Sequence, residues 1–430
     1  MHGGTTTMSA SGSKQLSVKQ NMLWNSIGCL IYQACQWAMT VAVVVFSSGY
    51  DNSGVLAFAM AVGNIYYPLA TYNMRTIQVS DVHDEYSSEE YVGFRIVTVI
   101  LGFIPMLVYL IATASSTALV ISTVFWLLFK ADESFCCVFY AIDQKAMRMD
   151  YIGISQAVRG ICSVIAFSAA LALCDNINIA IIAVAFVCVS VTLLYDYRKA
   201  NALASACPRI ACARVLELLK RYLPAVITLV CYGAVVSVAR QQFEVLRGAE
   251  ALGMYAAVAT PTVLVQVAAS YLYNPLLGGI AQRWSDRDLV AFLRGIGSVF
   301  VAILVVAAAG VLASELFGGP VLTFVYGESI RGSVHLLTPA LIATAVTTMF
   351  AFMFDVLIVM RSLRAALVAN ASALLISIVA SRPMIEALDA NGITCTVIAA
   401  FGVGLVICFG AFAWQVRNAR PATVGGGDAA

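Results

Sequence analysis

Charge is what this 430-residue chain has least of: 11% of its residues are Asp, Glu, Lys or Arg, against roughly 25% in an average soluble domain. Hydrophobic residues make up 61% of the chain. No core that a chain of this length can build hides so much apolar surface, so the solvent for most of it is lipid. Histidine is equally sparse. His2, His83 and His335 stand alone, and no pair is spaced to hold a metal. The twelve cysteines form no C-x-x-C pair; Cys29, Cys35, Cys162, Cys188, Cys231 and Cys408 sit inside apolar runs. They read as small, soft core residues rather than as a disulfide framework. The chain has no G-x-x-x-x-G-K-[ST] sequence and so carries no ATPase of its own. Between the apolar runs, no outer loop exceeds roughly twenty residues or combines a nucleophile, a base and an orienting acid. Glu315, Glu328, Glu386 and Asp389 read as solvated charges. These absences argue against an enzyme, and no cofactor, metal or nucleic acid is expected as a partner.

What remains is a succession of apolar runs. A helix needs about 20 apolar residues to cross a bilayer. That rule predicts about twelve spans: 23–46, 53–73, 94–114, 117–141, 153–173, 178–195, 223–245, 253–276, 293–316, 335–360, 365–381 and 394–415. Their continuous hydrophobicity excludes barrel strands, which alternate with period two. The first run is too long for a signal-peptide core, and no small-residue cleavage site closes it, so it reads as a retained helix. With the N-terminus inside, one set of connections holds Arg75, Lys145, Arg148, Arg198, Lys199, Arg209, Arg214, Lys220, Arg221, Arg283, Arg287, Arg361 and Arg364. The other holds Arg247, Arg331 and Arg382. Basic residues stay on the cytoplasmic side, so both termini are cytoplasmic and the chain is a multi-pass protein of the cell membrane.

The predicted fold is all-α: two six-helix lobes around a central cavity. A polar cytoplasmic N-terminus covers 1–22, a first lobe 23–195, a basic cytoplasmic linker 196–222, a second lobe 223–416 and a cytoplasmic tail 417–430. The halves echo each other. D51-N-S-G54 opens the second span and E250-A-L-G253 the eighth; both spans lead to a Ser-Asp, at Ser80-Asp81 and Ser285-Asp286. Internal symmetry of this kind is common among transporters.

A few charges fall within or beside the spans. At the bilayer centre each costs at least a few kcal/mol, so it faces water or a partner. Arg159 lies about two turns into the fifth span and needs one or the other. Arg240 and Glu244 are four residues apart near the outer end of the seventh, a spacing at which they can neutralise each other. Asp355 lies in the inner third of the tenth with no base three or four residues on; it is protonated, paired across helices or coupled to a cation. Arg75, Arg95 and the group Lys130, Asp132, Glu133 mark inner ends, where long basic side chains can snorkel to headgroups. Asn25, Gln33 and Gln36 fall on one helical face, and Gln241, Gln242 and Gln266 add amides in the seventh and eighth spans. Such residues bond helix to helix, or hold the hydroxyls and phosphates of a sugar-phosphate.

Four stretches carry a family likeness: NSIGCLIYQACQW (25–37), YDNSGVLAFAMAVGNIYYPLATYNMRTIQVSD (50–81), AIDQKAMRMDYIGISQAVRG (141–160) and ARQQFEVLRGAEALGMYAAVATP (239–261). Through them the sequence resembles the polysaccharide-exporter branch, the Wzx-type flippases, of the multidrug/oligosaccharidyl-lipid/polysaccharide exporter superfamily. The matching positions are Gly54 at the start of span two, Arg75 with Gln78 and Asp81 at its inner end, and Arg240 ahead of G253-M-Y-A. Many relatives carry Pro-Arg-Tyr where this chain has Ala239-Arg240-Gln241. The resemblance implies a flippase that moves a polyprenyl-diphosphate-linked oligosaccharide across the cytoplasmic membrane by alternating access, for cell-surface polysaccharide such as lipopolysaccharide. It implies substrate contacts at Arg240, Arg159, Arg75, Asn25, Gln36 and Gln241, and ion coupling at Asp355 and Glu244. Membrane lipids, H+ or Na+, a polysaccharide polymerase and glycosyltransferases are the expected partners. Two other readings stand beside it: an ion-driven exporter of small molecules or drugs in the same superfamily, and a membrane-embedded polysaccharide polymerase or ligase.

Overall fold

The computed structural model describes residues 16–81 and 84–418; His2, His83, most of the polar N-terminus and all but the first residues of the tail lie outside them. Described residues form helices α1 (Val18–Phe46), α2 (Asp51–Thr71), α3 (Met74–Ser80), α4 (Ser88–Thr113), α5 (Thr117–Lys145), α6 (Met149–Cys174), α7 (Ile177–Val191) and α8 (Tyr197–Leu203). The second half adds α9 (Cys212–Ala259), α10 (Thr262–Ser285), α11 (Leu289–Ala313), α12 (Gly319–Tyr326), α13 (Leu337–Val359), α14 (Leu363–Leu388) and α15 (Ala390–Asn418). In lipid a backbone must satisfy its own polar groups, which a helix does. Ten of the helical segments are long and apolar enough to cross a membrane. Helix α5, charged at Lys130, Asp132 and Glu133, and helix α10 occupy the fourth and eighth predicted positions. The chain is an all-helical, multi-pass membrane protein.

The breaks between helices carry information that the hydropathy does not. Helix α9 is interrupted at Gly248, whose φ of 86° lies in the left-handed region that favours glycine. The eighth span therefore starts just after it. That span breaks again at Thr260 and Pro261 before α10, where proline has no N–H to continue the ladder. Helix α2 ends at Tyr72 and Asn73, both with positive φ. The carbonyl of Ala70 in its last turn accepts from Arg95 Nη1 at 2.7 Å and from Thr98 Oγ1 at 2.8 Å. Arg95 is wholly buried. It does not snorkel; it places positive charge at the negative end of a helix dipole. Lys130 also departs from the snorkelling expectation: it lies mid-helix and pairs with Glu133 at 2.6 Å. Of the basic connection 196–222, α8 and the first turns of α9 are helical, leaving 204–211 non-helical.

Two compact units divide the chain. The first holds residues up to Ala42, with Tyr66–Ala112 and Val120–Leu223. Its interior is aromatic, with Tyr66, Phe94, Trp126, Phe129 and Phe167 almost fully buried. The second holds Val43–Ile65, Thr113–Leu119 and everything from Pro224 onward. Phe350, Met353 and Phe401 centre one of its clusters, and Phe292, Phe352 and Tyr273 another. The end of α1, the start of α2 and the α4–α5 turn thus pack with the second half of the chain.

The sequence echo lies inside this second unit as a reciprocal contact. A Cβ on Gly54 would sit 1.7 Å from the carbonyl oxygen of Ala249, and one on Gly253 would sit 2.2 Å from that of Tyr50. Each glycine meets the residue four positions before the other. Ser53 Oγ adds a bond to the Gly253 carbonyl at 3.4 Å. Only a residue without a side chain permits backbones this close.

Candidate functional site

In the first unit, Arg159 is 2% exposed and does not reach water. Helix α6 aims it at Asp132 of α5, with Nη2 2.7 Å from Oδ2. Its Nε lies 3.6 Å from Asp196 Oδ2. The same Nη2 donates to the Cys188 carbonyl at 3.2 Å and to Thr192 Oγ1. Thr192 and Asp196 are the two ends of a π-turn joining α7 to α8; such turns interrupt the normal ladder and often mark functional sites. Cys136 Sγ donates to Asp196 Oδ2 at 3.1 Å. Beside this group Tyr32 OH donates to Glu133 Oε1 at 3.0 Å, and Glu133 holds Lys130. The Arg159 guanidinium thus stands between two carboxyl groups, those of Asp132 and Asp196. Asp143 is 1% exposed, and neither of its carboxyl oxygens has a hydrogen-bond partner.

Arg75 stands at the start of α3. Its Nη2 donates to Gln144 Oε1 at 3.1 Å, and its guanidinium carbon lies 5.7 Å from the centre of the Tyr140 ring. Tyr140 OH and Ser155 Oγ are 2.9 Å apart, which puts Arg75 one tyrosine away from the helix that carries Arg159. On α1, Asn25 and Gln36 are both partly buried, and Gln36 Nε2 is buried without a partner.

In the second unit the expected self-neutralising pair is not made. Among the described residues no ion pair joins Arg240 to Glu244. Glu244, 3% exposed, accepts instead from Ser115 Oγ at 2.6 Å. The α4–α5 turn brings that hydroxyl to the acid, and no sequence spacing on α9 could show it. Arg240 is half-buried, and its Nε has no hydrogen-bond partner. Gln241 beside it is 4% exposed. Asp355 of α13 accepts from Tyr273 OH of α10 at 3.4 Å; of the three states open to it, it shows a cross-helix partner, a neutral one.

Sequence reasoning missed Asp196 and Thr192, and placed Asp132 at an inner end where the structure shows mid-helix. Depth was the available signal. A lone arginine in a span needs an acid at its own level, and α5 alone among the first-half spans carries acids near its middle. Among the described residues, no group of three His, Cys, Asp or Glu side chains could hold a metal ion, and all twelve cysteines are free. Cys136, Cys137, Cys188, Cys231 and Cys408 are buried, whereas Cys162 and Cys174 are exposed and do not belong to a core.

No protein-family model matches the chain, and no curated protein matches it in sequence. Solved structures do. An inward-facing multidrug-resistance MATE family transporter of the MOP superfamily superposes with a TM-score of 0.71, at 10% identity, covering 93% of this chain and all of that one. The fold is a MATE fold. The eukaryotic MATE transporter AtDTX14 gives 0.64 at 12% identity over 94% of this chain and 98% of its own. A Pyrococcus furiosus MOP-superfamily transporter, whose binding pocket is described as reversed in polarity and suggestive of a different function, gives 0.58 at 14% identity over 93% and 95%. At these identities the likeness concerns the fold alone, and a MATE fold leaves the substrate open.

Proposed function

We propose that the protein is a transporter of the cytoplasmic membrane that flips a polyprenyl-diphosphate-linked oligosaccharide outward by alternating access. A polysaccharide polymerase and glycosyltransferases act on either side of that step. The observation that carries this reading is Arg240: a cation in a membrane helix, free of the acid four residues away, with a buried nitrogen unpartnered. An uncompensated guanidinium suits a diphosphate, which it can hold by charge-assisted bonds. The four stretches that resemble the flippase branch support the same substrate class, and the amides of α1 and α9 suit sugar hydroxyls. With the inside negative, each negative charge moved outward is favoured by about 2.3 kcal/mol per 100 mV, so the lipid-linked anion needs no ATPase.

A second reading, an ion-driven exporter of small cations, rests on Glu244 and Asp355, each of which accepts from a neutral hydroxyl and has no ion pair among the described residues. Native mass spectrometry of gently extracted protein separates the two. A retained polyprenyl-diphosphate sugar, depleted about ten-fold in Arg240→Ala for the loss of one charge-assisted contact, supports the flippase. Phospholipid alone, identical in both proteins, overturns it. Accumulation of a lipophilic cation by vesicles, lost in Asp355→Asn, then favours the exporter.

A further inference from the structure

Where α6 begins and α7 gives way to α8, the first unit gathers cations around two tyrosines, at the end that its basic connections mark as cytoplasmic. Arg148 lies just before α6, with its guanidinium carbon 4.0 Å from the centre of the Tyr151 ring. The Lys199 ammonium of α8 lies 4.9 Å from the same ring and 5.8 Å from that of Tyr195. The two rings stand edge to face, 6.5 Å apart. Arg198, exposed, precedes Lys199 in α8. A ring face attracts a cation and fixes where it stands, but it does not neutralise it.

The nearby acids are spent or walled off. Asp150 accepts from Arg148 Nε and Nη2 at 2.9 and 2.8 Å. Asp196 faces inward to Arg159 and Cys136, and Asp143 is buried. The ion pair of this cluster is Arg148–Asp150, and among the described residues none reaches Arg198 or Lys199. Two positive charges are thus left over, one of them partly buried, where screening is weaker than in open water. An anion set against them relieves that repulsion. Their depth says which kind of anion. Tyr195 ends the sixth predicted span and Lys199 stands one turn beyond it, at headgroup level. From Tyr195 a groove of about 190 Å3, flanked by exposed Ile154, Val158 and Leu194, runs toward the hydrocarbon. That groove takes any acyl chain; selection lies in the phosphate above it.

We propose that Arg198 and Lys199, set against the Tyr151–Tyr195 pair, bind the phosphate of an anionic phospholipid of the cytoplasmic leaflet. The proposal holds whatever the protein transports. Basic residues beside any span are drawn to anionic lipid; here the rings hold one cation in place and turn a diffuse attraction into a site. The π-turn presents Tyr195 to this site and Asp196 to Arg159, so the lipid sits on the back of the turn that holds the buried pair.

The test uses the full chain in nanodiscs of phosphatidylglycerol and phosphatidylcholine, in equal amounts and with identical acyl chains, so that the groove has nothing to discriminate. Native mass spectrometry then counts the lipids that stay on the released protein. The unaltered protein is expected to keep phosphatidylglycerol in preference. Arg198→Gln/Lys199→Gln is expected to lower that retention by about five-fold for each charge removed. Tyr151→Leu/Tyr195→Leu keeps every charge, removes the rings and is expected to lower it as well. Arg361→Gln/Arg364→Gln takes two exposed charges from the second unit and is expected to leave it unchanged. Equal losses in the two arginine-bearing pairs, or full retention without the tyrosines, overturn the proposal, because the attraction is then one of diffuse surface charge. Absence of a phosphatidylglycerol preference in the unaltered protein overturns it whether or not a variant folds. Displacement of the lipid by inorganic phosphate at equal concentration assigns the cluster to a soluble phosphate and overturns the lipid.

Discussion

At the scale of single residues, Arg159 is the buried arginine of the first unit that is held by acids. Removing one partner of a buried ion pair strands the other, which costs about 3–5 kcal/mol. Arg159→Ala and Asp132→Ala are each expected to destabilise by that order. The double variant should cost well under their sum, because no charge is left stranded. Thermal unfolding of all three proteins in one detergent checks it, and strictly additive losses would mean that the 2.7 Å pair carries no coupling. Asp81, outside the spans, makes a pH prediction. Burial pushes its carboxyl up, but bonds from the Glu85 and Tyr86 amides at 2.9 and 3.2 Å, the Tyr91 hydroxyl and the nearby Lys145 ammonium outweigh that, and its pKa is lowered. A lowered carboxylate contributes stability that is complete above the unfolded value, about 3.9, and fades as pH falls through the folded one. Hydrogen exchange at the Glu85 and Tyr86 amides, corrected for intrinsic rate, should stay protected from neutrality down to the usual carboxylate range and rise only below it. Loss of protection near pH 6 would refute the assignment. Asp81 was legible in the sequence as a motif member, but its partners were not, since they depend on how the loop after α3 turns back.

At the scale of elements, hydropathy located the spans and glycine chemistry located their closest contact. The D51-N-S-G54 and E250-A-L-G253 echo was visible in the sequence; that its two glycines meet each other's helices was not, because nothing in one dimension says which faces touch. The contact divides the glycines by consequence. At Gly54 an added methyl meets the Ala249 carbonyl at 1.7 Å, whereas at Gly402 in α15 it meets nothing within 4 Å. Gly402→Ala should therefore raise stability by about 0.5–1 kcal/mol, the ordinary gain inside a helix. Gly54→Ala should lower it, because backbone has to move, and Gly253→Ala should do the same. Melting curves of the three variants rank them; a neutral Gly54→Ala would show that the α2 crossing has room to spare. The break at Gly248 falls in the predicted gap between the spans 223–245 and 253–276. The π-turn at Thr192–Asp196 was out of reach for a different reason: it lies at the end of an apolar run that hydropathy reads as continuous, and its geometry answers to Arg159, a tertiary partner.

At the scale of the whole molecule, the charges are distributed unequally between the two units. Arg159 in the first is met by two carboxylates, while in the second Glu244 and Asp355 meet hydroxyls and Arg240 meets no acid among the described residues. The second unit is thus where an uncommitted cation and two uncommitted acids coexist, which is what a carrier that handles an anion and an ion in turn requires. Moving two phosphate charges outward against no compensation would gain about 4.6 kcal/mol at 100 mV, twice the single-charge value. A carrier driven by the field alone needs no acid at all; one that exchanges protons or sodium does. On the flippase reading, Asp355, partly buried in the last turns of α13 with a tyrosine for its partner, is the acid proposed for that exchange. In vesicles with separately imposed potential and pH or sodium gradients, the unaltered protein is expected to respond to both, and Asp355→Asn to the potential alone. If the variant keeps its full response to the ion gradient, coupling does not run through Asp355 and Glu244→Gln becomes the variant to compare. If neither substitution changes anything, the field is the sole drive, and the two acids serve the packing of the second unit through Tyr273 and Ser115.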